Sequence, residues 1–449
     1  MKQPGVEKRQ KILIFSHSSS LGGAERSMVD MIDILASKGF QVFAVLPNRG
    51  PIEKILRGKS IPFIIIKYSW WVTNTKITTE QYLDSMHNLV SALPKFVKFA
   101  PTCIITNTAV IPWGALTAQF LNIPHIWSVR EFVEKDHGLL PDITFPELAK
   151  IIYLSSEKIW FVSKAVRSEF EKYISGDKSE IIYSLVSVSK DLIEEEIVSP
   201  YKFEKSFKLI MSSNINPGKG QGQAVKAVKL LIDNGRDVEL LILGHKKGES
   251  REYYKKVAGL IGKKYKDRIH ILPFKQNPYP FILKSDVVLV CSKSEAFSRI
   301  LIESGLLGKT FVASNAGANL EIDKENGLFY EYGNHIDLSE KIEYLIKNPE
   351  IREKMAENLR TEMQKRFQNN KIISELLPQQ LREVSKSGGL GHTFGLIKKV
   401  LTGYYERDTL KVQQLKAELQ AIKSSKNYRL WKKYHKVRDS VKGFLKINE

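Results

Sequence analysis

Short apolar runs alternate with amphipathic helical segments along this 449-residue chain, and this alternation constrains its fold more than any other feature. It occurs in two separate series, which start at the predicted strands Lys11–Phe15 and Leu209–Met211. Strands separated by helices are typical of a parallel sheet covered by helices on both faces. The sequence therefore predicts an α/β protein with two Rossmann-like, doubly wound domains and a basic helical C-terminal tail.

The predicted boundaries follow from where the alternation stops. We assign residues 1–183 to the first domain and residues 207–366 to the second, and the mixed-charge segment 184–206 to the connection. Residues 367–449 form the C-terminal helices and tail. Because ligands of open parallel sheets bind beyond the carboxyl ends of the strands, we expect the site in the cleft between the two domains.

The tail carries much of the positive charge. Between Lys386 and Glu449 there are fifteen Lys or Arg and five Asp or Glu. This segment therefore has a net charge of +10, which is half of the chain's net charge of +20. A basic segment of this kind favours an anionic membrane or a nucleic acid. We expect the membrane surface and no nucleic acid, since no nucleic-acid motif is recognised and apolar side chains line one helical face. These are Leu430, Tyr434, Val437, Val441 and Phe444.

A second pattern in the tail concerns self-association. Apolar residues follow a 3-4-3 spacing at Val412, Leu415, Leu419 and Ile422. This length suffices for about two heptads, so a short coiled coil can join copies of the chain.

The expected compartment is the cytoplasm, with peripheral attachment to the inner face of the cell membrane. No secretory signal pattern is recognised, and no run approaches the roughly 20 apolar residues of a membrane span. The two cysteines, Cys103 and Cys291, fall in apolar runs that predict buried strands. We therefore expect reduced core thiols.

The segment Ser285–Gly317 carries the strongest chemical signal. It predicts a strand, a loop, a helix capped at Ser298 and a second strand, with Glu295 and Glu303 eight residues apart. A helix start offers free backbone N–H groups to a phosphate, and a carboxylate can accept two hydrogen bonds from vicinal hydroxyls. This combination suits a sugar nucleotide, although the spacing alone is also compatible with two solvated carboxylates.

The motif and its neighbours resemble the Glu-x7-Glu motif of the retaining glycosyltransferases of family four, which have the GT-B fold. The similarity covers about Ile12 to Arg366. It includes Asp286, before the first strand of this segment, and Gly317, after the second strand. The resemblance implies that Glu295 faces the donor sugar and that Glu303 bonds the ribose hydroxyls. It further implies that backbone amides hold the phosphate and sugar at Phe297, Ser298, Arg299 and Ile300.

A second loop supplies positive charge. Lys219 lies between two glycines after the strand Leu209–Met211, and the resemblance identifies it with the family's phosphate-binding lysine. Asn214 stands where the family often has an arginine, so Arg299 or Lys293 is a candidate for the missing charge. The resemblance also places the donor base at Phe274.

The first domain contributes a glycine-rich turn. Gly22 and Gly23 follow the first strand and match the family's contact with the donor diphosphate and sugar. His17 is a neighbouring candidate on the acceptor side.

A charged pair follows another strand of the first domain. Arg130 and Glu131 stand where many family members have a His-Asp pair. We expect them to contact the acceptor or, for Arg130, to brace the phosphate; a salt bridge between them is the structural alternative. His137 is a further acceptor candidate.

These features predict an enzyme that transfers a sugar from a UDP- or GDP-linked donor to a hydroxyl of a lipid-linked or cell-envelope glycan, and the resemblance implies that the transfer occurs with retention. No metal-ligand cluster is recognised, so no metal and no cofactor besides the donor are expected. Two alternatives stay open: a sugar-nucleotide epimerase of the same fold, and a non-catalytic membrane scaffold with a degenerate site.

The membrane assignment can be tested by deleting all residues after Ser387. Removing the basic amphipathic segment should reduce co-sedimentation with anionic phosphatidylglycerol liposomes and leave the low background on neutral liposomes unchanged. Equal sedimentation of the full and shortened chains on anionic liposomes would contradict the assignment.

Overall fold

The structure is a computed structural model that describes residues 10–73, 78–137, 140–141, 144–184, 186–188, 207–246, 250–368 and 371–387, and positions 417, 420, 421, 424 and 425. The predicted coiled-coil positions and the basic amphipathic face lie outside the described residues, as does most of the connection 184–206.

The first domain is built on a parallel sheet. Its strands, with the short antiparallel pair formed by β4 and β7, are β1 (Lys11–Phe15), β2 (Gln41–Leu46), β3 (Phe63–Ile65), β4 (Val72–Thr73), β5 (Cys103–Thr106), β6 (His125–Val129), β7 (Leu140–Pro141), β8 (Lys158–Phe161) and β9 (Ser179–Ile181). The order of the main sheet is β3-β2-β1-β5-β6-β8-β9. The central strands β1, β5 and β6 are buried along almost their whole length because helices cover both of their faces.

The helices of this domain connect successive strands. They are α1 (Gly23–Ser37), α2 (Ile52–Gly58), α3 (Thr79–Phe99), α4 (Trp113–Leu121), α5 (Glu134–His137), α6 (Phe145–Leu154) and α7 (Lys164–Phe170). Local chemistry fixes several starts: Thr78 and Gln81 form a capping box on α3, and the Ser163 hydroxyl accepts from the N–H of Val166 on α7.

The second domain repeats the architecture. Its strands are β10 (Phe207–Ser212), β11 (Val238–His245), β12 (Ile269–Pro273), β13 (Val287–Val290), β14 (Thr310–Ser314) and β15 (Leu328–Tyr330). Its helices are α8 (Gln221–Asp233), α9 (Arg251–Ile261), α10 (Tyr279–Leu283), α11 (Arg299–Leu306), α12 (His335–Lys347) and α13 (Pro349–Met363), and a further helix, α14 (Lys371–Ser387), follows them in the chain. All pairings in the sheet order β12-β11-β10-β13-β14-β15 are parallel.

Both sheets reverse their strand order beside the first strand of the domain. In the first sheet the reversal lies between β1 and β5, and in the second it lies between β10 and β13. The loops after these strands diverge to opposite sides of the sheet, which opens a crevice at each reversal. The two-domain, doubly wound fold predicted from the sequence is confirmed.

The last described helix returns to the first domain. The indole N–H of Trp160 on β8 donates to Oε1 of Gln380 on α14 at 2.6 Å, although the residues are 220 positions apart. Leu377, Leu381 and Val384 of α14 pack into the apolar cluster on the same face of the first sheet. The C-terminal segment is therefore part of the first domain's core, which its sequence periodicity alone did not indicate.

Two further observations concern the cysteines and the lengths of the helices. Both cysteines are free and buried, as expected for reduced core thiols. Within the described ranges, every helix is too short or too polar to cross a bilayer.

Candidate active site

A cavity of about 620 Å³ lies between the two domains, beyond the carboxyl ends of both sheets. The loops that follow β1, β6, β10, β12 and β13 contribute to its walls. Most of the residues singled out from the sequence line this cavity: His17, Gly22, Gly23, Arg130, Glu131, Asn214, Lys219, Phe274, Glu295, Phe297, Ser298, Arg299, Ile300 and Glu303. The fold thus brings together positions that are up to 286 residues apart in sequence.

An ion pair between Lys219 and Glu295 lies on the second domain's side of this cleft. The Lys219 Nζ is 2.5 Å from Oε1 of Glu295, and the hydroxyl of Ser292 donates to the same oxygen at 2.7 Å. Both side chains are largely but not fully buried, at 24% and 14% exposure, so they stay accessible from the cleft. The two residues expected to carry the chemistry are therefore in direct contact.

Glycine allows the Lys219 loop to approach the loop after β13. Gly220 has a φ of +71°, and a Cβ atom there would collide with the carbonyl oxygen of Cys291. The N–H of Lys293 also donates to the carbonyl of Gly218 at 2.8 Å. These contacts fix the position of Lys219 relative to Glu295.

A second glycine braces Glu295 from the opposite side. Gly317 has a φ of +62°, and a Cβ atom there would collide with the backbone of Glu295. The next residue, Ala318, donates its N–H to the Glu295 carbonyl at 2.7 Å. The Glu295 backbone is thus held by the loop after β14, which explains why Gly317 belongs to the same sequence motif.

The start of α11 opens toward the cleft. Ser298 is its N-cap residue, but its side chain makes no capping hydrogen bond, and its hydroxyl is buried without a partner among the described residues. The expected side-chain cap is therefore absent. The N–H of Leu301 donates to the Ser298 carbonyl at 3.2 Å, whereas the N–H groups before it precede every carbonyl of the helix, and the helix dipole favours an anion there.

Arg299 crosses from the second domain to the first. One guanidinium nitrogen donates to the hydroxyl of Ser27 at 2.9 Å and to Oδ2 of Asp30 at 2.8 Å, both on α1. Its Nε lies 3.5 Å from Oε1 of Glu303. Burial acts to lower the pKa of Arg299, but the carboxylates of Asp30 and Glu303 outweigh it and raise the pKa, so the side chain stays charged.

These contacts bear on the expectation that Arg299 or Lys293 replaces the charge missing at Asn214. The charge of Arg299 is taken up by the two carboxylates, and burial nevertheless raises the pKa of Asp30. Lys293 is exposed and does not line the cleft. Asn214 lines the cleft with an exposed side chain, and its carbonyl accepts from Gln221 at 3.0 Å.

Glu303 lies one helical turn after Arg299 and is only 5% exposed. Besides Arg299, it interacts with the hydroxyl of Tyr279 on α10, whose pKa is raised by burial and by this carboxylate. A carboxylate held by a guanidinium and a phenol has a fixed orientation in the cleft. Further along the wall, Phe274 is 38% exposed, with the Lys246 ammonium 4.8 Å from its ring centroid.

The first domain presents the start of α1 to the cleft. Gly22 is the N-cap residue, and a Cβ atom there would lie 2.7 Å from Oε2 of the buried Glu25. His17 places its Nε2 3.3 Å from Oε1 of Glu25, and its ring packs edge-on against Trp70 at 5.2 Å. Gly22 and Gly23 therefore lie at the N-terminus of a 15-residue helix, as expected for an anion contact.

Arg130 and Glu131 do not pair through their side chains. The Glu131 carboxylate accepts from the Thr108 hydroxyl at 2.7 Å, from the Ala109 N–H at 3.0 Å and from the Arg130 N–H at 3.2 Å. It is 6% exposed and holds the loop after β5 in place. The structural alternative of a salt bridge with Arg130 is thus wrong, and the acceptor role expected for Glu131, which lines the cleft, stays a prediction.

Arg130 is oriented by neutral groups. Its Nε donates to Oδ1 of Asn107 at 2.7 Å, and another guanidinium nitrogen donates to the Ser184 hydroxyl at 2.8 Å. Burial lowers the pKa of Arg130 to about 10, which still leaves it protonated at neutral pH. Arg130 thus brings a positive charge to the cleft from the first domain.

The remaining candidates differ in what the structure describes. The backbone of His137 ends α5, but its side chain lies outside the described side chains. No group of three or more His, Cys, Asp or Glu suited to a metal ion occurs in the part of the chain that is described.

Several cleft residues were not found from the sequence. Asp30 and Ser27 are polar positions within an otherwise apolar face of α1, which is a signal that could have indicated them. Trp70 and Glu25 carry no comparable pattern. Arg26 donates to the carbonyl of Gln276 and forms a second bridge between the domains.

Comparison with known proteins agrees with this geometry. Residues 193–362 match the family model described as "Glycosyl transferases group 1", a segment that contains Lys219, Glu295 and Glu303. The match covers less than half of the chain and most of the second domain.

Two relatives extend the similarity to the first domain. The chain is 23% identical over 396 residues to the N-acetylgalactosamine-N,N'-diacetylbacillosaminyl-diphospho-undecaprenol 4-alpha-N-acetylgalactosaminyltransferase of Campylobacter jejuni, covering 82% of this chain and 98% of that protein. It is 28% identical over 271 residues to an uncharacterized glycosyltransferase of Methanocaldococcus jannaschii, covering 58% of this chain and 69% of that protein.

Solved structures share the architecture. The complex of Anabaena HepE with UDP-glucose superposes with a TM-score of 0.67 at 18% identity, covering 84% of this chain and all of that one. The structural similarity shows the GT-B fold, and the sequence matches support a group 1 glycosyltransferase.

The ion pair between Arg299 and Asp30 joins the two domains, so removing the Asp30 carboxylate should affect both stability and the contact between the domains. Asp30→Ala leaves the buried Arg299 guanidinium without its first-domain carboxylate, so the unfolding free energy should fall by about 1–3 kcal/mol. The radius of gyration from small-angle scattering should also rise, because one bridge between the domains is lost.

Asp33→Ala is the matched control on the same helix. Asp33 is 45% exposed and pairs with Lys59 at 2.9 Å on the surface, so its removal should change stability by less than about 1 kcal/mol. If Asp30→Ala behaved like this control in both measurements, the ion pair with Arg299 would not hold the domains together.

Proposed function

We propose that this protein transfers a sugar from a nucleotide-sugar donor to a hydroxyl acceptor with retention of anomeric configuration. The observation that carries the proposal is the contact between Lys219 and Glu295 in the cleft between two doubly wound domains. A lysine for a diphosphate and a carboxylate for a sugar lie side by side, within the segment that matches group 1 glycosyltransferases.

The donor binds mainly to the second domain. Its diphosphate lies against Lys219 and the first amides of α11, from Phe297 to Ile300, where the helix dipole favours negative charge. The ribose hydroxyls bond to Glu303, which Arg299 and Tyr279 hold in place. The base lies against the exposed ring of Phe274.

The first domain completes the diphosphate site. The N-terminus of α1 at Gly22 and Gly23 and the guanidinium of Arg130 face the same cleft. Arg130 thereby takes the place of the arginine that the resemblance leads one to expect at Asn214. The bound UDP-glucose of Anabaena HepE supports a UDP-linked donor, with GDP as the alternative base.

The chemical step breaks the bond between the anomeric carbon and the phosphate oxygen, and the electron pair leaves with the nucleoside diphosphate. Lys219, Arg130 and the two helix starts stabilise the charge that develops on that group. The acceptor oxygen forms the new bond from the face that the leaving group vacates, and its proton passes to an oxygen of the departing phosphate. Glu295 holds the donor sugar's hydroxyls in the geometry for this step.

Domain closure protects the donor from water. Arg299 and Arg26 already connect the domains beside the cleft, so a closed arrangement is accessible to the chain. Excluding water prevents hydrolysis of the donor and strengthens each electrostatic contact in the site. In this proposal protein groups carry all the charge stabilisation, and the transfer rate is expected to be the same with and without EDTA.

The acceptor is a lipid-linked or cell-envelope glycan. The printed name of the Campylobacter jejuni relative describes a transferase that acts on a glycan linked to diphospho-undecaprenol. A peripheral position at the inner membrane face, through the basic tail, would bring the cleft close to such an acceptor.

The role of Glu295 is tested by Glu295→Ala. Because this carboxylate is proposed to contact the sugar and competes with the diphosphate for Lys219, the variant should lose transfer by at least about a hundredfold while nucleoside diphosphate binding is kept or becomes tighter. Product formation is measured by chromatography and nucleotide affinity by calorimetry. Glu350→Ala, at an exposed glutamate outside the cleft lining, is the control; normal transfer by Glu295→Ala would refute the assigned role.

The role of Glu303 is tested by Glu303→Ala and Glu303→Gln. Loss of the ribose contact should weaken donor binding by roughly tenfold or more in the alanine variant, since hydrogen bonds to charged groups contribute about 1.5–3 kcal/mol. Glutamine keeps one acceptor oxygen and should lose less affinity. An unchanged donor dissociation constant in Glu303→Ala would exclude the ribose contact.

A further inference from the structure

The segment Tyr68–Trp71, between β3 and β4, is fixed at each of its residues. The Tyr68 hydroxyl donates to the Ser16 carbonyl at 2.5 Å, and the N–H of Trp71 donates to the Val110 carbonyl at 3.1 Å. Both backbone polar groups of Ser69 are hydrogen-bonded. Its N–H donates to Ser85 Oγ at 2.8 Å, and its carbonyl accepts from the Trp113 indole N–H at 2.7 Å. A loop with this many anchors presents its side chains in one fixed orientation.

Trp70 differs from its neighbour Trp71 in where its ring lies. Trp71 is 6% exposed and stacks on Trp127 in the core at 5.9 Å between ring centroids. Trp70 is half-buried and lines the cleft. Its indole N–H is already engaged with the His17 carbonyl at 2.8 Å, and the His17 ring packs against it edge-on.

Part of the Trp70 indole packs against the first-domain core, and the rest of the ring faces the cavity. Leaving that part of a large apolar ring in contact with water is unfavourable, so a ligand that covers it gains free energy. Because its N–H is used within the protein, what Trp70 offers to a ligand is a flat, rigid, apolar surface. A pyranose ring matches such a surface through its C–H face while its hydroxyls reach neighbouring polar groups.

We propose that Trp70 is a stacking platform for the acceptor, and that the acceptor residue at this place is therefore a sugar ring. This inference rests on the proposed glycosyltransferase function and extends it by assigning the acceptor class to a subsite. The hydroxyl that attacks belongs to the sugar seated on Trp70, or to its immediate neighbour.

The placement of Trp70 favours the acceptor over the donor. The groups proposed to hold the donor's sugar and ribose, Glu295 and Glu303, belong to the second domain, and the first domain is proposed to reach only the diphosphate, through Gly22, Gly23 and Arg130. Trp70 belongs to the first domain and has no part in that diphosphate site. Val110 and Arg130, which line the first-domain wall with it, follow β5 and β6. A small non-sugar alcohol would leave the indole surface without a partner.

The experiment compares Trp70→Phe with Trp70→Leu. Both substitutions remove the indole N–H and its bond to the His17 carbonyl, but only phenylalanine keeps an aromatic face. The difference between the two variants therefore reports stacking and not the structural hydrogen bond. Melting temperatures of both variants with and without a nucleotide sugar establish that they are folded and that they bind donor.

The probes are octyl glucoside, octyl galactoside and octyl N-acetylglucosaminide, with octyl glycerol ether as the non-sugar alcohol. Binding is followed by saturation-transfer NMR in the presence of UDP or GDP, and transfer by release of nucleoside diphosphate from the donor. For the glycoside that the wild type uses, KM should rise by about tenfold in Trp70→Leu and by less than about threefold in Trp70→Phe. Saturation of the pyranose protons should fall in the same order.

Three outcomes would overturn the platform. The first is equal glycoside KM values for wild type and Trp70→Leu, and the second is equal losses in the phenylalanine and leucine variants. The third is a preference of the wild type for octyl glycerol ether over every glycoside. Failure of the wild type to bind any nucleotide sugar would instead count against the proposed function itself.

Discussion

The guanidinium of Arg299 connects the two halves of the cleft, and the rest of the site is arranged around it. It stands on the first turn of α11, bonds to Asp30 on the opposite domain and lies beside Glu303 one turn later. A buried arginine would be costly without partners, and two carboxylates from different domains supply them. The same contact therefore holds the domains together and orients the carboxylate proposed to bind the ribose. In the proposed function, donor binding and domain closure are therefore linked through one side chain.

Charge in the cleft is divided between the domains. Lys219 is paired with Glu295, and Arg299 is paired with Asp30 and Glu303, so neither presents an uncompensated charge. Arg130 is different, because its described hydrogen bonds go to Asn107 and Ser184, which are neutral. A diphosphate entering the cleft would compete with Glu295 for Lys219 and meet Arg130 directly. In the proposed reaction, Lys219 leaves its ion pair with Glu295 when it binds the phosphate, and the Glu295 carboxylate can then bind the sugar.

Much of the fold could be predicted from the sequence because local signals coincide with it. The two series of alternating strands and helices, which start at Lys11 and Leu209, form the two parallel sheets with their covering helices. The sequence did not indicate α14 as part of the first domain, because its contact with Trp160 joins residues far apart in the chain. Motif residues such as Lys219, Glu295 and Glu303 could be found from the sequence because the spacing of the motif is short.

Asp30 and Trp70 were missed because their significance depends on contacts across the cleft or on a surface that only the folded chain creates. The partners of Arg130 and Glu131 could not be predicted either, since adjacent side chains point to different loops.

The central claim is that the cleft between the domains binds a nucleotide sugar through Lys219 and Glu303. Its most direct test is a thermal-shift panel of UDP- and GDP-linked sugars on the wild type and on Lys219→Ala, since a ligand that binds the folded state raises the melting temperature by mass action. The account predicts that one nucleotide sugar stabilises the wild type in a concentration-dependent manner and that the shift is largely lost in Lys219→Ala. The absence of any shift across the panel, or an equal shift in the two proteins, would contradict it.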